Sequence, residues 1–413
     1  MMERYREYKE SGVKWLGEIP SHWEVVRGLG VFSENKSKNT QLENSTVLSL
    51  SYGKIIVKKD IDSGLVPEEY SSYQIVRPGC IIVRSTDLQN DKTSLRIGYV
   101  CDEGIITSAY LGLQVKGNNN DKYLYYFLHD WDITKEIYRH GNGLRQSLSW
   151  NDLRDISVLL PPLSEQDAIV RYLDTATSEI DKAIAMQEKM IELLNERKQI
   201  IIQNAVTKGL DENVEMKESG ISCFGKIPKH WLIKGWNYIF YNLDKLRKPI
   251  SAEQRSRRNP QYDYYGASGV IDKIDYYNVD DKILLIGEDG ANLKMRNLPL
   301  VYKANGKIWV NNHAHILKPI EDNYDYMAYL METFDYNPYI TGSAQPKLSQ
   351  EQLGMVRLCV PPIEEQKKIV IYLEKRLKGF DSAITNCQRQ ITLLQERKQI
   401  FINEVVTGKV RVS

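Results

Sequence analysis

Two stretches of 50 residues constrain this chain most, because they are the same stretch twice. From Pro161 the sequence runs PPLSEQDAIVRYLDTATSEIDKAIAMQEKMIELLNERKQIIIQNAVTKGL, and from Pro361 it runs PPIEEQKKIVIYLEKRLKGFDSAITNCQRQITLLQERKQIFINEVVTGKV. They align without a gap at a shift of 200 positions (361 − 161), with 22 of 50 residues identical. Each carries a heptad seam of alternating three- and four-residue steps. The first seam holds Val170, Leu173, Ile180, Ile184, Ile191, Leu194 and Ile201; the second holds Val370, Leu373, Leu377, Phe380, Ile384, Ile391, Leu394 and Phe401. Lys198 and Lys398 interrupt the seams at equivalent places. A stripe this regular demands a helical partner, and two matching stripes in one chain supply it, so an antiparallel coiled coil is expected. At 1.5 Å per residue, about 40 residues make a rod of roughly 60 Å.

The duplication extends beyond the helices. KESGVKWLGEIPSHW (Lys9 to Trp23) returns as KESGISCFGKIPKHW (Lys217 to Trp231), at a shift of 208 (217 − 9), so the variable blocks between motif and helix must absorb the difference. The expected order, met twice, is opening motif, strand-rich block, short helix, short strand, long helix. This gives residues 1–160 and 211–360 as two globular domains with β-rich cores, and 161–210 and 361–413 as long helices. The fold class is α+β, with an internal pseudo-twofold repeat. In the first block a strand pair turns at Ser51-Tyr52-Gly53, and Pro78-Gly79 separates two further strands. In the second, turns fall at Gly266–Gly269 and Glu288–Gly290, and KIWVNNHAHILKP from Lys307 reads as one strand. The Pro-Pro pairs block any helix upstream, Ser164 suits an N-cap, and Gly209 and Gly408 stand as stops. His22 and His230, each beside a tryptophan, read as structural.

Hydrophobic residues make up 42% and charged residues 26%, ordinary for a globular protein. No apolar run approaches a membrane span and the charged N-terminus lacks a signal-peptide core. Five scattered cysteines without metal-ligand spacing fit a reduced, cytoplasmic compartment. No phosphate loop, dinucleotide fingerprint or HExxH is present. Tyr265–Gly269 only loosely resembles a nucleophile elbow, since Val270 stands where glycine is needed. His313 and His315 fall on one face of the expected strand but lack a third metal ligand. Asn259-Pro260-Gln261-Tyr262 is close to the base-holding motif of adenine methyltransferases, with Gln in place of the second proline, and reads as a turn.

The variable blocks are instead rich in side chains that reach bases and phosphates. The first offers Ser51, Tyr52, Lys54, Lys58, Lys59, Arg77, Arg84, Thr86, Asp87, Gln89, Asn90 and Arg96. The second offers Lys245, Arg247, Lys248, Arg255, Arg257, Arg258, Tyr265, Ser268, Asn311, Asn312, His313 and His315. Arg and Lys neutralise phosphate and read guanine, and Asn and Gln pair with adenine. Against this stands a solvated charged face, about as good an account of any single residue. A net charge of +1 confines any basic surface to patches.

The opening motif, the Pro-Pro-x-x-Glu-Gln-x-x-Ile helix starts and the Glu-Arg-Lys-Gln-Ile stretches (Glu196–Ile200, Glu396–Ile400) together resemble the specificity subunits of type I restriction–modification systems, over essentially the whole chain. The second motif departs from the first at Cys223 and Phe224, which replace Trp15 and Leu16. The resemblance implies a non-catalytic subunit whose two target-recognition domains each read half of a bipartite, non-palindromic site in double-stranded DNA. It implies two modification (methyltransferase) subunits docked on the coiled coil, bringing S-adenosylmethionine and N6-adenine chemistry, with none of that cofactor in this chain. Restriction (motor-nuclease) subunits, a prokaryotic cytoplasm and no membrane complete the expectation. The competing class is a self-contained methyltransferase or nuclease.

Overall fold

The structure, a computed structural model, describes residues 3–58, 70–91, 93–141, 146–256, 259–343 and 345–412. Lys59, Arg257 and Arg258 lie outside the described residues. The chain forms two compact units, residues 1–188 with 389–413, and residues 189–388, so each unit takes part of both long helices.

In the first unit a four-stranded antiparallel sheet forms in the order Phe32–Glu34, Leu111–Val115, Ile81–Val83, Ile97–Tyr99, with the β-branched run at Ile81–Val83 inside it. Ile81, Ile82 and Val83 are wholly enclosed, which explains a continuous apolar run in place of alternation. A hairpin, Leu48–Ser51 with Lys54–Val57, turns at Tyr52-Gly53 as expected. Glu24–Arg27 pairs with Ser157–Leu160, the strand leading into the first long helix. The domain helix Asp121–Ile133 is capped by Asn120, whose side chain accepts from the Tyr123 amide. Its Tyr123, Leu124, Phe127, Leu128 and Trp131 share one core with Trp23, Leu173, Ile402 and Val405.

The second unit holds a six-stranded sheet ordered Phe240–Asn242, Ala314–Pro319, Val279–Gly287, Val301–Val310, Tyr262–Gly266, Gly269–Ile274. Only the pairing of Tyr262–Gly266 with Val301–Val310 is parallel. The stretch from Lys307, expected as one strand, is two. The Asn311 side chain accepts the His313 amide at 2.8 Å, and this local turn ends one strand at Val310 before the next begins at Ala314. The helix Tyr324–Thr333 is capped by Asn323 and packs into a core with Trp231, Leu373 and Val206.

The long helices run Leu163–Lys208 and Ile363–Val406. The first begins directly after Pro162, so Ser164 lies within its first turn and does not cap it. Gly209 and Gly408, at φ +78° and +71°, follow the helix ends. Seam residues point inward with the expected period. Val170, Leu173, Ile180, Val370, Leu373 and Leu377 are buried, and Ile184, Ile191, Leu194, Ile201, Phe380, Ile384, Ile391, Leu394 and Phe401 are half-buried. In the first unit Lys398 Nζ meets Asp181 Oδ1 at 2.6 Å; in the second Lys198 Nζ meets Asp381 Oδ1 at 2.6 Å.

The duplicated motifs make duplicate contacts. Glu165 accepts the Trp23 indole N–H at 3.0 Å and meets His22 at 2.6 Å; Glu365 accepts from Trp231 at 3.1 Å and meets His230 at 2.7 Å. Gln166 and Gln366 each donate to the Pro161 or Pro361 carbonyl and accept the Asn120 or Asn323 amide. Among the described residues, no helix is long and apolar enough to cross a membrane.

Candidate nucleic-acid interface

In the first unit three segments meet at one end of the sheet. The chain leaving Ile81–Val83 at Arg84 runs beside Gln146–Leu148. The Leu88 amide donates to the Gln146 carbonyl at 3.1 Å, and the Leu148 amide to Ser85 at 2.8 Å. The hairpin turn comes up to the far end of the loop that leaves at Arg84, at Gly53 (φ +77°), where an added Cβ would sit 3.0 Å from the Leu95 side chain. Tyr52, at the hairpin tip with φ +47°, is 86% exposed. Lys54, Gln89 and Asn90 are exposed, while Ser51, Arg84, Thr86 and Asp87 are half-buried. Asn90 donates to Asp87 Oδ1 at 2.7 Å, and Arg84 pairs with Asp91 at 3.3 Å. The Asp91 carboxylate accepts amides from Ser94 and Thr93, which hold it far below the usual carboxylate range.

Arg96 is not among the exposed groups. It is fully buried and donates to main-chain carbonyls of the loop, so its proposed DNA contact gives way to a structural one.

The second unit repeats this pairing with different side chains. Leu348 N donates to Glu288 O at 2.7 Å and Gly290 N to Pro346 O at 3.1 Å. Two further turns join: Glu288 N donates to His313 O, and Asn311 N to Tyr265 O. A Cβ on Gly287 would lie 2.8 Å from the Ala267 carbonyl, so the Gly266–Gly269 turn rests on the strand end because that residue is glycine. Ser268, Asn312 and His313 are exposed, and Tyr265 is half-buried. His313 Nδ1 meets Asp289 at 2.7 Å.

His315, expected beside His313 on one face, is fully buried instead. Its Nδ1 meets Asp244 Oδ2 at 2.6 Å and its Nε2 the Leu348 carbonyl at 2.8 Å. Arg247 bonds both Asp244 and Glu288, and Lys347 reaches Glu288 at 3.1 Å. Burial acts to raise the Asp244 and Glu288 carboxyls. Hydrogen bonds from His315 to Asp244, and from Arg247 and Lys347 to Glu288, outweigh it, and both stay below their ordinary values. Asn311 is buried, and Arg255 is tied to Asp272 at 2.6 Å with its guanidinium 4.5 Å from the Tyr264 ring centre. Among the described residues no cluster of three or more metal-binding side chains occurs. Sequence reasoning did not single out Asp91, Tyr138 and Asp244, and it placed Glu288 only in a turn. The one signal was the repeated Leu-Ser at Leu148 and Leu348, which mark the paired segments.

Two unlike sets of polar groups are thus presented on the same loop pairing. The profile of the type I restriction modification DNA specificity domain matches residues 20–190 and again 240–395. The chain belongs to this family. It is a specificity subunit with two recognition domains. The MjaVIII type I restriction enzyme specificity subunit of Methanocaldococcus jannaschii is 24% identical, covering 98% of this chain and 97% of its own. The EcoDI specificity subunit of Escherichia coli is 19% identical, over 76% of this chain and 72% of its own. A solved chain from a study of assembly and conformational transition in a type I restriction–modification system shares the fold, with TM-score 0.66 and 14% identity over 94% of this chain and 98% of that one.

Proposed function

We propose that each recognition domain of this specificity subunit reads one half of a bipartite site in double-stranded DNA. The observation that carries the reading is the common loop pairing with different readers. Tyr52, Lys54, Gln89 and Asn90 stand exposed on one, Ser268, Asn312 and His313 on the other. Equal frames with unequal readers mean unequal half-sites, hence a non-palindromic target. Amide and imidazole groups at turn tips suit base edges, and Lys54 suits phosphate.

The long helices, in this reading, pack as an antiparallel coiled coil in pseudo-twofold arrangement and fix the spacing between half-sites. The paired Lys398–Asp181 and Lys198–Asp381 contacts support this, since each crosses from one long helix to the other at equivalent positions. They support a register-fixing role for the two lysines. The relatives named as specificity subunits of type I restriction enzymes support a partnership with two modification subunits, which supply S-adenosylmethionine and the N6-adenine chemistry. Restriction subunits join the same assembly in the prokaryotic cytoplasm.

Mapping methylated adenines in cells carrying this chain with its modification partner tests the reading. Replacing residues 30–150 by the matching block of a relative changes one half of the motif and leaves the other. A motif that changes in both halves, or in neither, refutes it. Inserting a few residues after Val206 lengthens the unspecific spacer; an unchanged spacer refutes the ruler.

A further inference from the structure

We infer that Arg96 is a positioning residue for DNA recognition, holding the reading loop of the first unit in its working shape without touching DNA. The inference rests on the reading that this unit contacts one half-site.

A guanidinium has five N–H donors, and all five of Arg96 are used. Nη1 donates to the carbonyls of Arg84 (3.2 Å) and Thr86 (2.8 Å). Nη2 donates to those of Asp87 (3.0 Å) and Asp91 (2.5 Å). Nε donates to Tyr138 Oη at 3.1 Å, and that hydroxyl in turn donates to the Asp91 carbonyl at 3.1 Å. The four carbonyls belong to residues 84–91, the segment that presents Gln89 and Asn90. Asp87, in the middle, adopts φ +60°, a conformation a non-glycine residue keeps only when its surroundings impose it. The Arg96 amide is itself pinned, donating to the buried Asp132 carboxylate at 2.5 Å.

A cation fully enclosed against carbonyl oxygens is costly unless every donor is met. Its presence under an exposed loop, rather than in the apolar core, is what sets it apart from an ordinary buried arginine. The carbonyls converge on one point, so the loop closes around the guanidinium. Lysine, with three donors and no planar fork, cannot reproduce this. The second unit solves the same problem with Arg247 and His315, so the effect of Arg96 is confined to one half-site.

The test uses the full chain assembled with its modification subunits and a duplex library randomised across the recognition site, with enrichment read base by base. Arg96→Met is expected to reduce discrimination in one half-site roughly tenfold or more per specified base pair, leaving the other half and the salt-dependent affinity for non-specific DNA unchanged. Tyr138→Phe removes the bridging hydroxyl while keeping the ring, and is expected to relax the same half-site by a smaller factor. Amide hydrogen exchange should quicken at residues 84–91 and stay unchanged in Ile81–Val83. Asn312→Ala should relax the opposite half. If Arg96→Met fails to fold, Tyr138→Phe decides. A wild-type profile with two half-sites that Tyr138→Phe leaves intact, or relaxes equally in both halves, overturns the inference alone. A wild-type profile without two half-sites overturns the underlying reading as well.

Discussion

Asp130 offers a quantitative test of how the domain helix is joined to the second long helix in the first unit. Its carboxylate is fully buried, and its hydrogen-bond partner is the Asn403 amide, 3.1 Å from each oxygen. Asn403 in turn accepts from Lys409 Nζ at 3.0 Å. Burial outweighs this support and pushes the carboxyl up to about 6. Below about pH 4 the group is protonated in the folded and unfolded chain alike and costs nothing. Between about 4 and 6 the unfolded chain releases its proton first, so stability falls as pH rises, and the loss is complete above the folded value. The full effect of a carboxyl moving from 3.8 to about 6 is about 3 kcal/mol. Asp130→Asn keeps an acceptor for Asn403 and cannot ionise. The neighbouring His129, which burial and Lys398 hold down at about 4, has the opposite slope in the same window. The informative quantity is therefore the difference between variant and wild type, from urea unfolding at pH 4.5 and 7.5, with exchange in residues 121–133 reporting the unit. About 1 kcal/mol of the effect is already present at pH 4.5, so the variant should gain about 2 kcal/mol relative to wild type on moving from the lower to the higher pH. A difference that is the same at both values would show that the carboxylate is not desolvated as its burial requires.

Four further outcomes are expected. Glu165→Ala strands the indole N–H of Trp23 and removes the partner of His22 and Tyr5; denaturant unfolding should show about 2 kcal/mol of loss in the first unit. Gly287→Ala drives a methyl into the Ala267 carbonyl, costing about 1–3 kcal/mol and relaxing only the half-site read by the second unit. Tyr52→Ala, at an 86% exposed tip, should leave stability within about 0.5 kcal/mol while specific affinity falls about tenfold in a binding titration. Lys198→Met with Lys398→Met removes two partly exposed ion pairs worth at most about 1 kcal/mol each. Their loss should appear as methylation of sites with spacers one base pair longer or shorter.

The long helices, both hairpin turns and the domain helices were legible in the sequence because periodicity and turn chemistry are local. The seam residues sit where a three-four count puts them. The break at Asn311 was missed although Asn311-Asn312 carries turn chemistry, because the apolar runs Ile308–Val310 and Ile316–Leu317 on either side read as one strand and a single side-chain-to-amide bond decides the break. Arg96 and His315 were misassigned for a different reason. Basic side chains in a polar block ordinarily face solvent, and what encloses these two is a set of carbonyls and carboxylates brought in by the fold. His315 is met by Asp244 and Leu348, each more than 30 positions away. Exposure at a turn tip, by contrast, follows from the turn itself, so that of Tyr52, Lys54 and Ser268 was legible, whereas that of Asn312 depends on the break at Asn311, which was not.

The changing shift of the repeat shows how such a chain varies its readers without losing its frame. The offset is 208 at the opening motif, 203 at the helix caps Asn120 and Asn323 (323 − 120), and 200 at the long helices. Both differences accumulate in segments between fixed contacts. The fixed contacts are those by which Gln166 and Gln366 hold the cap amides and Glu165 and Glu365 hold the tryptophans. They are hydrogen bonds from the first turn of each long helix, so the helix start serves as the template on which a domain is assembled. Loop length enters stability only weakly, so residues can be gained or lost between template contacts at little cost. The frame contacts tolerate no such change, because each closes a buried donor or acceptor. Variation is therefore channelled into the loops that face outward, which are the loops a recognition subunit must vary.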